Sequence, residues 1–120
     1  MKPILVVVNA PESRRRLVEI LVHAGHSVME TDSGERAIQL ACHISPALIL
    51  LAIVMPDLNG LEIEARVRSS LKSESPPIIL LGTMPPIGMH DEPLNSLVSG
   101  YVNIDVPAEN LLAAVSSQLS

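Results

Sequence analysis

The fold is decided by residues 46–60, PALILLAIVMPDLNG. Residues 48–53 form an unbroken apolar run, which is typical of a strand that is buried on both faces of a parallel sheet. The PDLNG segment that follows is turn chemistry, because Asn and Gly tolerate left-handed backbone and Pro fixes φ. In open parallel sheets, functional groups lie just past the carboxyl ends of the strands. Here the residue at that place is Ala52, whose methyl group carries no chemistry.

Predicted strands and helices alternate along the whole chain. Short apolar runs predict the other strands, at residues 4–8, 26–31, 77–81 and 101–104. Apolar residues at helical spacing predict helices that begin at Pro11, after Asp32 or Ser33, at Gly60, near residue 92, and before Leu111. Because helical crossovers force neighbouring strands to run parallel, this order predicts an α/β fold. We expect one domain over residues 1–120, with a three-layer, doubly wound, five-stranded parallel sheet built from five βα units.

The composition predicts an aliphatic core in a cytoplasmic protein. Apolar residues make up 48% of the 120 residues, and the chain has one Tyr, no Trp and no Phe. The longest apolar run is far shorter than the ~20 residues that a membrane span needs, so no membrane segment is expected. The start of the chain runs straight into a strand, without the pattern of a signal peptide. The single cysteine, Cys42, cannot form an internal disulfide and is expected as a small core residue of its helix.

Charge is distributed unevenly along the chain. Residues 1–72 contain all eight Lys and Arg together with eight acids, whereas residues 73–120 contain five acids and no base. An acidic surface without bases repels phosphate backbones, which argues against direct binding to nucleic acid. The simpler alternative is that these acids only keep an apolar half of the chain in solution. Arg14, Arg15 and Arg16 are adjacent but point about 100° apart on a helix, so they are expected as solvated flank.

Six short motifs occur at the start, middle and end of the predicted units. They are ILVV at residues 4–7, PE at 11–12, PALILL at 46–51, MPDLNG at 55–60, PIILL at 77–81 and GYV at 100–102. With these motifs the chain resembles the receiver domain of bacterial two-component response regulators, the CheY-like family. The resemblance covers essentially all 120 residues. It implies the CheY-like, flavodoxin-like arrangement and a role in phosphorelay signal transduction.

The resemblance also implies where the family's site residues fall. The family uses two acids after the first strand to bind Mg²⁺, an Asp at the end of the third strand to accept the phosphoryl group, a Thr or Ser after the fourth strand, and a Lys after the fifth. The corresponding positions here are Val8, Asn9, Ala52, Gly82 and Ile104. None of them supplies the carboxylates, nucleophile or cation that phosphoryl transfer needs. The expectation is therefore a pseudo-receiver with no enzymatic activity, no aspartyl phosphorylation, no metal and no cofactor.

A switch and partner surface is expected near the end of the chain. In the family, the fourth helix, fifth strand and fifth helix form the output and dimer face, and an aromatic aligned with Tyr101 swings inward. The surface expected here comprises Met84, Pro85, Ile87, Met89, Tyr101, Asp105 and Glu109. It would bind a protein partner in a signalling pathway, or a second copy of the chain. The simpler alternative is that residues 84–89 form a loop that covers the end of the sheet. Asp105 stands where the family has Pro after a cis bond, so a trans bond is expected.

Two alternative functions stay open. The chain could be phosphorylated on a non-standard residue such as Ser, Thr or Asp57, although Asp57 lies five residues past the strand end and is expected as a turn residue away from the pocket. The vacated pocket could instead hold a small ligand. Val8, Ala52, Gly82 and Ile104 are expected to close it into a small, dry, apolar space with few polar anchors. Asn9 is expected to cap the first helix, and His23 and His26 lack a third ligand for a metal.

Overall fold

The computed structural model describes residues 2–82 and 100–119 and contains one five-stranded parallel sheet. The strands are β1 Ile4–Val7, β2 Val28–Thr31, β3 Leu48–Ala52, β4 Ile78–Gly82 and β5 Gly100–Asn103. The helices are α1 Pro11–His23, α2 Gly34–Ile44, α3 Gly60–Leu71 and α4 Ala108–Leu119, with a 3-10 turn at Lys72–Glu74. The predicted α/β fold is confirmed, while the helix expected at residues 92–98 lies outside the described residues.

The sheet is centred on β3, as the unbroken apolar run predicted. Across the sheet the strands follow the order β2-β1-β3-β4-β5, so β3 has two neighbours on either side. All five residues of β3 and all four of β1 are buried. The outer strand β2 is different, because Met29 and Glu30 are exposed there. Burial on both faces explains why the inner strands show no alternation of apolar and polar residues.

Helices cover both faces of the sheet. The step from β1 to β2 goes one way across the sheet, and every later step goes the other way. Right-handed crossovers therefore put α1 on one face and α2 and α3 on the opposite face. The contacts agree, because α1 packs against α4 and α2 packs against α3. All strands consequently end at the same edge, and the loops that lead from strands into helices gather there.

The starts and ends of the helices follow ordinary capping chemistry. Pro11 occupies the first turn of α1, and the chain leaves that helix through Gly25 at a φ of 94°. Ser33 caps α2 by accepting a hydrogen bond from the Arg36 amide, which decides between the two expected caps. The Asn59 side chain caps α3 in the same way, with its Oδ1 2.8 Å from the Glu62 amide nitrogen.

The core is aliphatic, with two polar residues buried among those described. Thr31 is 7% exposed, and Glu64 is 1% exposed and paired with Arg68 one helical turn further on. The expectation that Cys42 is a core residue is wrong, because its side chain is exposed. Helix α2 turns Ala37 and Ala41 toward the sheet, and the next residue lies about 100° around the helix.

Two smaller expectations concern the backbone and the membrane. No cis peptide bond occurs in residues 2–82 and 100–119, so the bond between Ile104 and Asp105 is trans as expected. In the same part of the chain, no helix has both the length and the apolar character that a bilayer crossing requires.

The predicted strand limits differ from the observed ones by one or two residues, which is the usual uncertainty of such boundaries.

Candidate functional site

Strand pairing brings the predicted site positions to the carboxyl edge of the sheet. Ala52 is the last residue of β3 and pairs with Leu81, while Gly82 is the last residue of β4 and pairs with Asn103. The Ile104 amide continues this ladder by donating to the carbonyl oxygen of Gly82 at 2.7 Å. Residues that are far apart in the sequence therefore meet at one edge.

A cleft of about 380 Å³ opens at this edge. Its lining residues are Asn9, Ala10, Ser13, Ala52, Val54, Leu81, Gly82, Ile104 and Asp105. Three of the four residues that were expected to close a pocket line it, but Val8 does not. The Val8 side chain is 1% exposed and belongs to the hydrophobic core. The cleft is also larger than the small pocket expected, and its volume falls within the range of small-molecule sites.

Tyr101 fills the space that the missing side chain of Gly82 leaves. Its partner in the sheet is Leu80, and Gly82 lies two residues further along the same strand, on the same face. A Cβ built on Gly82 would lie 3.0 Å from Cζ and 3.1 Å from Cε2 of the tyrosine ring, and closer still to the hydroxyl oxygen. The ring is therefore directed toward the carboxyl edge of the sheet, and only a glycine permits this position.

Arg14 holds the end of β1 together. Its Nη1 donates to the carbonyl oxygens of Val8 at 3.0 Å and Asn9 at 3.2 Å, and its Nε forms an ion pair with Glu30 at 2.9 Å. The expected capping of α1 by Asn9 is wrong. The N-cap is Ala10, which has no side chain that could accept a hydrogen bond.

Arg16 makes an equivalent connection to the end of β5. Its guanidinium donates to the carbonyl oxygens of Ile104, at 3.4 Å, and Val106. The expectation that the three arginines are solvated flank is therefore correct only for Arg15, which is exposed. The signal that could have shown this is topological. The loop carbonyls that follow β1 and β5 lie at the carboxyl edge, and α1 begins at that edge, so arginines in its first two turns can reach them.

Asp57 is a turn residue, as expected, but its carboxylate also caps a helix from outside. It accepts hydrogen bonds from the amides of Gly34 at 3.0 Å and Glu35 at 3.1 Å. It also accepts from the Ser33 hydroxyl at 3.3 Å and from the Leu58 amide at 3.0 Å. The backbone amides, with Glu35 first and Gly34 second, lower the pKa of Asp57 to about 2. This carboxylate does not line the cleft.

The residues of the expected partner surface are only partly described. Tyr101 is half-buried, whereas Asp105 and Glu109 are exposed. Met84, Pro85, Ile87 and Met89 lie outside the described residues. Within residues 2–82 and 100–119, no three His, Cys, Asp or Glu side chains gather closely enough to hold a metal ion.

Comparison with known proteins gives a family match and several relatives. A family model described as the response regulator receiver domain matches residues 4–116. The chain is 30% identical to Protein PilH of Pseudomonas aeruginosa over 83 residues, which are 69% of this chain and 69% of that protein. It is 31% identical to the Positive alginate biosynthesis regulatory protein of the same species over 119 residues, which cover 93% of this chain and 45% of that protein.

The fold is also that of solved structures. The Vibrio cholerae chemotaxis protein CheY4 superimposes with a TM-score of 0.90, with 99% of each chain covered and 24% sequence identity. The chain spans less than half the length of most of the curated relatives that it matches.

Proposed function

The chain belongs to the response regulator receiver domain family, whose members transmit signals in two-component systems, and we propose that this one signals through protein contacts without phosphorylation at residue 52. In this proposal it is a non-catalytic pseudo-receiver. Its scaffold is retained as a surface for a partner, and a signal other than phosphate, or no signal at all, sets its conformation.

The observation that carries the proposal is Ala52 at the end of β3. The resemblance to the family assigns the phospho-acceptor to this position, and a methyl group cannot attack phosphorus. Transfer also needs cations that stabilise the charge spread over the phosphoryl oxygens. Among the described residues, no Lys and no Arg lines the cleft beside Ala52. Position 52 therefore has no nucleophile, and the described part of the lining has no cation that could stabilise the phosphoryl charge.

The side chains that line the cleft fit Mg²⁺ poorly. Mg²⁺ prefers oxygen ligands at 2.0–2.1 Å in octahedral geometry, usually with one or two carboxylates. The cleft offers one carboxylate, from Asp105, which follows β5. Asn9, which follows β1, adds one neutral amide oxygen. One carboxylate and one amide supply less negative charge than a Mg²⁺ site usually has, so no step is assigned to a metal.

The partner surface proposed here is the exposed part of β5, the following loop and α4. Asp105 and Glu109 are exposed on it, and residues 100–119 contain no Lys or Arg. A partner with a basic surface would be attracted to such a region, whereas a nucleic acid would be repelled. Tyr101, in β5, is the one Tyr, Trp or Phe of the sequence and lies at the edge of this surface.

The first experiment asks whether the cleft accepts a phosphoryl mimic. Amide NMR spectra of the full chain would be recorded before and after addition of Mg²⁺ and beryllofluoride. A receiver domain with Asp at the end of its third strand serves as the positive control. We expect unchanged spectra for this chain. Shifts that cluster around Ala52, Gly82 and Ile104 would defeat the proposal.

A second experiment addresses phosphorylation on another residue. Asp57 is the nearest carboxylate after β3, but its oxygens already accept hydrogen bonds from Gly34, Glu35 and Ser33. We expect no gain in intact mass after incubation with a small phosphodonor. A gain that persists in Asp57→Asn would locate the modification on another residue, such as a hydroxyl residue or Asp105 in the cleft, and a gain lost in that variant would locate it on Asp57. Either gain would refute a phosphate-independent role.

A third experiment tests the partner surface through self-association. Sedimentation of the wild type would be compared with Glu109→Lys and with the matched control Glu12→Lys, which reverses an exposed acid on α1. If the chain associates through this surface, Glu109→Lys changes the dissociation constant and Glu12→Lys does not. Equal effects of the two charge reversals on the dissociation constant would indicate that the interface does not lie on this surface.

A further inference from the structure

We propose that the cleft at the carboxyl edge binds a small, mainly apolar molecule with one hydrogen-bond donor, such as an alcohol or an amine, and rejects anions. This inference rests on the proposed function, because a cleft that still received Mg²⁺ and a phosphoryl group would need the opposite chemistry. The volume of about 380 Å³ suits a compact molecule the size of one substituted ring.

The apolar part of the cleft comes from the strand ends and the loop after β3. Ala52, Leu81 and Ile104 contribute aliphatic surface, and Gly82 contributes no side chain. Val54 adds a second observation. It lines the cleft and is 84% exposed, which makes it the most exposed large apolar side chain among the described residues. A ligand ring placed against Val54 would remove this surface from water.

The polar part of the cleft decides the charge of the ligand. Within the described part of the lining, Asp105 is the only charged residue, and Asn9 and Ser13 are the other polar side chains. A carboxylate accepts hydrogen bonds and cannot donate them, so it favours a hydroxyl or an ammonium group. An anion at the same place would meet like charge without a compensating cation.

The two arginines closest to these loops do not change this preference. Arg14 donates to the carbonyl oxygens of Val8 and Asn9, and Arg16 donates to those of Ile104 and Val106. Neither guanidinium lines the cleft. Their donors are directed to the backbone, so they are not offered to an anion in the cleft.

The test uses three probes that share one ring and differ in charge. Benzyl alcohol, benzylamine and benzoate would each be titrated into the full chain while amide NMR spectra are recorded. We expect the alcohol and the amine to shift the amides of Ala52, Gly82 and Asp105, with dissociation constants on the order of 1 mM, as is usual for ligands of this size. Benzoate should bind at least tenfold more weakly. Equal binding of benzoate, or shifts confined to other parts of the chain, would overturn the proposal.

Two variants on exposed residues separate the apolar and polar contributions without disturbing the core. Val54→Ser should weaken the alcohol and the amine to a similar extent, by about threefold to tenfold. Asp105→Asn should weaken binding of the amine more than binding of the alcohol. It should also reduce the difference in affinity between these two probes and benzoate. The matched control is Glu19→Gln, an exposed acid of α1 outside the cleft, which should leave all three affinities unchanged. Unchanged affinities in both cleft variants would contradict the site.

The same samples distinguish a failure of this inference from a failure of the proposed function. Beryllofluoride with Mg²⁺ would be added after each probe titration. If neither the probes nor beryllofluoride shift the amides around Ala52, the ligand site is refuted and the proposed function stands. If beryllofluoride shifts them, the phosphate-independent function is refuted, and the ligand site that rests on it is refuted too.

Discussion

The ring of Tyr101 occupies the space above Gly82 where a side chain on residue 82 would stand. A Cβ at that glycine would lie 3.0 Å from the ring's Cζ and closer still to its hydroxyl oxygen, at a separation that real Cβ atoms essentially never show. The ring can therefore occupy this position only because residue 82 has no side chain. Gly82 has no side chain, so any contact between residue 82 and the ring depends on steric fit with the backbone and not on a side-chain hydroxyl of residue 82.

Gly82→Ala should displace the tyrosine ring. Overpacking of this kind costs about 1–3 kcal/mol of unfolding free energy. Because the chain has one Tyr, no Trp and no Phe, its intrinsic fluorescence and near-ultraviolet circular dichroism report on Tyr101 alone. We expect both signals to change toward those of a solvated tyrosine.

The matched control for this prediction is Gly100→Ala. A Cβ at Gly100 would meet only Ile79 Cγ1, at an ordinary 3.9 Å. Its spectra should resemble the wild type. The double variant Gly82→Ala with Tyr101→Ala should lose less unfolding free energy than the sum of the two single losses, because the clash is absent without the ring. Strict additivity of the two single effects would contradict the steric account.

Arg16→Gln should loosen the loop between β5 and α4. The substitution removes the guanidinium that donates to the carbonyl oxygens of Ile104 and Val106, and hydrogen bonds from charged groups contribute about 1.5–3 kcal/mol each. Amide hydrogen exchange in this loop should accelerate, and the urea midpoint should fall. Arg15→Gln, one residue away and exposed, is the control, and equal losses in the two variants would argue for a general charge effect on α1.

Asp57→Asn should lower the thermal midpoint and change its pH dependence. The folded-state pKa of Asp57 is about 2, below the ordinary value of 3.8, because the amides of Glu35 and Gly34 stabilise the carboxylate. The stabilisation is complete above about pH 5 and is lost as pH falls through the unfolded-state value of 3.8 toward 2. The difference in midpoint between the wild type and Asp57→Asn should therefore shrink over that interval. The neighbouring exposed acid supplies the control variant Asp32→Asn, and the same shrinkage there would remove Asp57 as its cause.

Ala52→Asp should fail to restore phosphorylation. The side chain at this position is 6% exposed, and a buried carboxylate without a partner costs about 3–5 kcal/mol. Intact mass after treatment with a phosphodonor should stay that of the untreated variant. Ala52→Asn gives the uncharged comparison, and its stability should exceed that of Ala52→Asp by a margin that narrows at low pH, where the introduced carboxyl is protonated. A phosphoryl mass gain in Ala52→Asp would show that the alanine at residue 52 is by itself what prevents phosphorylation of this chain.

The sequence predicted the strands well because their signal is local. Residues 48–52 read as a buried strand since both faces of β3 are covered, and Pro11 and Gly25 mark the limits of α1 by their backbone preferences. Cys42 was assigned to the core wrongly because an apolar stripe on a helix is narrow, and a small residue beside it can lie on either side.

Contacts across the fold were much harder to predict. The partners of Asp57 lie 22 to 24 residues earlier in the sequence, and no local pattern links a turn to the start of another helix. The two arginine connections depend in the same way on which loops share the carboxyl edge. The residue types at that edge could be assigned from the resemblance, whereas the shape of the cleft and the exclusion of Val8 from it required the packed structure.

The connection made by Arg16 also bears on how the chain folds during synthesis. The two carbonyl groups that it binds lie 88 and 90 residues further along the chain. At translation rates of roughly 5–20 residues per second, they leave the ribosome about 4–18 s after the arginine does. Until then the guanidinium has only water as a partner in this place, so the first helix reaches its final polar contacts as one of the last events rather than the first.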